Sequence, residues 1–157
     1  QIKPGQSLSG FSFESKNPPG IVVFYALGFR KLRTTEEVSS DPYPPGHSFL
    51  DDAFKGQTIG PVAVSDTSSG GLIDRLITLK DSMPDYGWIT NQGIINSLNV
   101  KLRGAKESIA KGNNKTAKNH LNAFINELDA QKGKQINENA WALLKANAEY
   151  LIAKLGE

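Results

Sequence analysis

Two helical patterns run across residues 94–134, and only Lys111-Gly112-Asn113-Asn114 separates them. In the first, Ile95, Leu98, Leu102, Ala105 and Ile109 recur at spacings of three, four, three and four. In the second, Ala117, Leu121, Phe124 and Leu128 recur at four, three and four, and Ile125 widens the stripe. That spacing puts one apolar stripe on each helix, and a stripe must be buried against something. So short a joint makes the two helices antiparallel neighbours.

The same rule extends to both sides. Downstream, Ala140, Leu144, Ala148, Leu151 and Leu155 form a further stripe, flanked by Trp141 and Ile152. Upstream, Ile73, Leu76, Ile77 and Lys80 mark a shorter helix that ends before Pro84. The start signals are Ser68 or Ser69, Thr90 or Asn91, Asn113 or Asn114, and Asn137. Gly112 and Gly133 are placed to end two helices in the left-handed conformation. Lys132 and Lys134 fall beside the negative end of a helix dipole. Residues 72–157 are therefore expected to form an antiparallel four-helix bundle, its first helix short.

Residues 1–65 differ in texture. Phe11 and Phe13 alternate with small or polar residues, a period of two that suits a half-buried strand. Asn17-Pro18-Pro19-Gly20 is a turn signal. Residues 21–29 follow, apolar at nearly every position, as in a strand covered on both faces. Residues 34–60 read as mostly loop, with Val38, Tyr43, Phe49, Leu50 and Phe54 as the main anchors, and residues 59–64 as a short strand. A ribbon of two or three strands is marginal by itself. The expectation is a β-rich hairpin or partial sandwich, completed by upstream chain or by strand addition from another subunit, with Val23, Phe24 and Tyr25 at the interface. Residues 66–71, small and polar, form the linker, and independent motion of the two halves is the starting assumption. The fold class is α+β.

Composition narrows the function. Net charge is +2, from 18 basic and 16 acidic residues, too balanced for a nucleic-acid surface. No cysteine is present, which removes disulfides, thiolate zinc sites and cysteine nucleophiles. No apolar run reaches the ~20 residues of a membrane helix. The chain starts at Gln1 without a signal-like segment and reads as a piece of something longer.

No catalytic constellation emerges. His47 and His120 have no second histidine at ligand spacing. Glu36-Glu37 and Asp51-Asp52 are adjacent pairs that point apart on a strand. Asp41, Asp51 and Asp52 lack a calcium-loop pattern, and no serine sits in a nucleophile elbow. Lys101, Arg103, Lys106, Lys111, Lys115 and Lys118 are balanced by Glu107, Glu127 and Asp129, and read as a solvated face. Trp88 and Tyr86, with Trp141 and Tyr150, are candidates for a sugar-stacking platform; packing beside the core is the competing and favoured role. No catalytic residue, metal site or cofactor is expected.

The run GIINSLNVKLRGAKESIAKGNNKTAKNHLNAFINELDAQKGKQI resembles the FIMAH domain, a helical module at the C-terminal end of many large secreted bacterial and archaeal proteins. Gly93, Asn96, Leu98, Leu102, Gly112, Asn113, Leu121, Phe124, Gln131, Gly133 and Ile136 are among the residues that carry the likeness, which extends over residues 72–155. The resemblance implies an extracellular or cell-surface setting within a multidomain protein, and no activity of its own. The expectation is a non-catalytic module for attachment or assembly, partnered by its own upstream domains or another subunit. The alternatives are a carbohydrate-binding accessory domain of a secreted hydrolase, with polysaccharide as partner, and a filament subunit joined by strand addition.

Overall fold

The structure, a computed structural model, describes residues 15–26 and 48–156. It is α+β: a two-stranded antiparallel hairpin, then four packed helices. Strand β1 (Pro19–Ala26) pairs with β2 (Phe54–Pro61), and a single helical turn, α1 (Phe49–Asp52), precedes β2. The helices are α2 (Ser69–Ser82), α3 (Gln92–Ala110), α4 (Asn114–Gln131) and α5 (Glu138–Lys154). Phe11, Phe13 and the apolar residues 27–29 lie outside the described residues, as do Val38 and Tyr43.

Each helix starts where a side chain can accept the orphan amides of its first turn. Ser68 accepts from Gly71 N at 3.1 Å and Asn91 from Ile94 N at 3.1 Å. Asn113 accepts from Thr116 N at 3.0 Å and Asn137 from Ala140 N at 2.8 Å. Helices α3 and α4 are each followed by a glycine at positive φ, Gly112 at 69° and Gly133 at 71°. A Cβ there would be strained, so these two residues set the sharp exits. Lys134 Nζ donates to Ala130 O at 3.1 Å, satisfying one carbonyl of the last turn of α4.

The stripes meet in one core. Leu98, Leu102, Ala105, Ala117, Leu121, Phe124 and Leu128 are all buried, as are Ala140, Leu144, Ala148 and Leu151. Contacts join α2 with α3, α3 with α4, α4 with α5, and α5 back to α2. Helices α3 and α4 run antiparallel: Ser97 Oγ donates to Glu127 at 2.9 Å near one end, and Gly104 lies against the His120 ring further along. Glu127 also pairs with Lys101 at 2.8 Å, and Lys106 with Asp74 at 2.6 Å, so part of the basic face is locally balanced. Lys80 occupies a stripe position and is buried. Its ammonium reaches the exposed Asp81 carboxylate, so the stem packs while the charge finds a partner at the surface.

The hairpin is rooted in this body. Ile21 and Ile59 sit opposite each other and pack on the helical core together with Val64. Asn147, buried in α5, donates from Nδ2 to Pro19 O at 2.9 Å, and Arg75 of α2 donates to the same carbonyl at 3.1 Å. Two elements differ from the sequence expectation. The second strand runs from Phe54 to Pro61 rather than over residues 59–64, and Phe49–Asp52, expected as loop, form α1, whose start is fixed by a reciprocal capping box of Ser48 and Asp51. Leu50 and Phe54, expected as anchors, are 51% and 67% exposed.

Candidate functional site

The sequence singled out two groups of residues, and the structure places them apart. The first lies on the outer half of the hairpin. Val23, Phe24 and Tyr25 are 47%, 36% and 41% exposed, in a strand where charged residues are absent. Side chains alternate across a strand. Val22, Phe24 and Ala26 therefore share one face, opposite Thr58, Gly56 and Phe54. The Phe24 ring lies over Gly56 and meets Phe54 at a centroid distance of 6.0 Å. Ile21, Val23 and Tyr25 share the other face, of which only the Ile21 end packs on the helices. The Phe24 face is apolar apart from Thr58, whereas Val23 and Tyr25 on the other face stand opposite Gln57 and Lys55, and the outer half of the hairpin is exposed. Both strand edges are likewise unpaired among the described residues.

The second group lies at the pole of the helical body where the α2–α3 and α4–α5 loops meet. Tyr86 and Trp88 are half-buried, with ring centroids 5.2 Å apart. Both pack against the core, the role the sequence favoured for them. Ile89 pairs with Ile136 in an isolated bridge, and Asn137 N donates to Trp88 O at 3.1 Å. A groove of about 330 Å³ remains between the loops, with Trp88, Thr90, Gln135 and Asn137 along it.

Trp141 is held differently. Its Nε1 donates to Asp129 at 2.6 Å, Lys145 donates to both oxygens of that carboxylate at 2.9 Å, and Lys132 stands 3.6 Å above the indole. These contacts tie the end of α4 to the start of α5. The Trp141 hydrogen bond first, then Lys145, holds the Asp129 carboxyl below its ordinary value. A group whose folded value is depressed stabilises above its unfolded value, and the effect is lost as pH falls through the folded value. Acidification below the ordinary carboxylate range is therefore expected to shift Trp141 emission, read in a Trp88→Phe background. Asp129→Asn should abolish that titration; an unchanged titration in the variant would show that Asp129 is not its source.

Among the described residues no group of three or more His, Cys, Asp or Glu is placed to hold a metal ion. Asp51 Oδ2 accepts from Ser48 N at 2.6 Å, serving as a cap. His120 is half-buried against Gly104. His47, Glu36, Glu37 and Asp41 lie outside the described residues. No described helix is long and apolar enough to cross a membrane. Sequence reasoning missed Asn147 and Arg75, which fasten the hairpin. A lone asparagine in an otherwise apolar helix face was the available signal for the first.

Capped helices, glycine exits and a shared core define a helical module carrying a β-hairpin. The FIMAH domain profile matches residues 73–153, just over half of the chain, and the chain belongs to that family. No curated protein and no solved structure matches it.

Proposed function

We propose that the chain is a non-catalytic attachment or assembly module of a larger secreted or cell-surface protein. In this reading the hairpin is the joining element, and its occupant is a strand from a neighbouring subunit of the same kind. The observation that carries it is the outer half of β1, an uncharged strand with Phe24 exposed on one face and Val23 and Tyr25 on the other. Natural sheets protect such an edge with charge, proline or a bulge. From Ile21 to Ala26 this strand has neither charge nor proline, which suits an edge that is covered in the assembly. An uncharged strand also meets its own copy without electrostatic penalty. The pairing would extend the two strands toward the larger sheet or sandwich expected from the sequence.

Family membership supports the extracellular setting, since the FIMAH module closes many large secreted proteins. The helical half supports the non-catalytic reading, because its apolar stripes are used in its own core. Sedimentation velocity from micromolar to submillimolar concentration tests the proposal. The intact chain should associate, and Phe24→Lys with Phe54→Lys should keep it monomeric while the helical circular dichroism stays unchanged. A chain that is monomeric throughout refutes homotypic strand addition.

A further inference from the structure

We infer that the groove between the Trp88 loop and the Gln135 loop is a binding site for a neutral saccharide. Four observations converge on this ligand class. The first is an aromatic surface: Trp88 lines the groove, is half-buried, and its ring is tilted against that of Tyr86 at a centroid distance of 5.2 Å. An indole braced by a second ring is an apolar surface of the kind that stacks on the C–H face of a sugar ring.

The second is polar capacity. Trp88 Nε1, the Thr90 hydroxyl and the Gln135 amide have no hydrogen-bond partner among the described residues, and none is a buried unsatisfied group. They are therefore solvated donors and acceptors on the two loops that flank the groove, a mixture suited to hydroxyl groups. The third is charge. Lys134 and Glu138 also line the groove, but Lys134 donates to Ala130 O and Glu138 pairs with Lys132 at 3.6 Å. The two charges are opposite in sign and leave the groove without a net charge, which favours an uncharged ligand over a uronate or a phosphate.

The fourth is preorganisation. Both loops turn at glycines with positive φ, Gly87 and Gly133. They are joined by the Ile89–Ile136 bridge, whose two side chains are buried. A wall fixed in this way loses little freedom on binding. The volume, about 330 Å³, lies at the lower end of the range for ligand clefts. It suits a terminal sugar or one ring of a chain. The hairpin contributes no residue to the groove, so this inference is independent of the proposed assembly.

The test is native affinity electrophoresis of the intact chain through gels containing hydroxyethyl cellulose, galactomannan or starch, with alginate as the charged comparison. At least one neutral polymer should retard the chain and alginate should not. Trp88→Ala should weaken binding about tenfold or more, the loss of one stacking face. Because Trp88 also packs on the core, Thr90→Val and Gln135→Ala provide the second arm, and each should weaken binding with the fold unchanged by circular dichroism. The Phe24→Lys variant should bind like the parent chain. Retardation by none of the neutral polymers, retardation by alginate alone, or binding that survives the Thr90 and Gln135 substitutions would each overturn the assignment.

Discussion

Phe124→Ala is expected to destabilise the helical body by about 3–5 kcal/mol, the cost of emptying a fully buried aromatic site. Phe124 is the largest apolar side chain with no exposed surface, and its stripe neighbours Leu121 and Leu128 are equally buried. It lies in α4, whose contact with α3 is the most extensive between helices among the described residues. Small domains hold only about 5–15 kcal/mol in total, so one such loss consumes much of the margin. Urea unfolding followed by helical circular dichroism measures it. A loss below about 1 kcal/mol would mean that the interface collapses onto the space and that Phe124 is not central to it.

The second large effect is expected where the hairpin meets the helices. Asn147 Nδ2 donates both to Pro19 O and to Leu143 O, at 2.9 and 2.8 Å. Arg75 donates to the same Pro19 carbonyl, while its Nε is buried without a partner among the described residues. Burial pushes the Arg75 guanidinium below its ordinary value, a sign that this residue is held at some cost. Asn147→Leu alone removes both bonds but leaves Arg75 on the Pro19 carbonyl, and should cost about 1–2 kcal/mol, the net worth of two hydrogen bonds. Asn147→Leu with Arg75→Leu leaves a carbonyl at the hairpin root without either donor and should cost about 1–3 kcal/mol more than the sum of the single changes. The expected signature is local: amides of β1 and β2 exchange faster while those of α3 and α4 keep their protection. Equal loss of protection throughout the chain would show that hairpin and helices unfold as one unit.

The helical half was legible because its constraints are local. The stripe Ala117, Leu121, Phe124 and Leu128 is buried throughout, and Asn113, Asn137, Gly112 and Gly133 each act where their chemistry suggested. A helix declares its buried face through its period and its ends through caps, so neighbours in sequence suffice to read both. The hairpin was half legible. An apolar run announced β1, but its partner Phe54-Lys55-Gly56-Gln57-Thr58 has no apolar alternation and is recruited by pairing alone. Strand pairing is long-range, and the propensity of a polar strand reflects its neighbours more than itself. The fastening of Pro19 by Asn147 spans 128 positions and leaves no periodic trace. Trp88 and Tyr86 were noticed as aromatics. Their grouping with Thr90 and Gln135 depends on how two loops meet, which only the packed helices determine.

In the proposed assembly the apolar surface of the helices is buried within the fold, whereas that of the hairpin is reserved for a neighbouring subunit. Hydrogen exchange on the intact chain, read by mass spectrometry at low and high concentration, tests it most directly. Residues Leu98 to Leu128 should exchange slowly at both concentrations. Val22 to Ala26 should exchange quickly when dilute and become protected when concentrated. Protection of that strand already in dilute solution, or none at any concentration, would contradict that assembly.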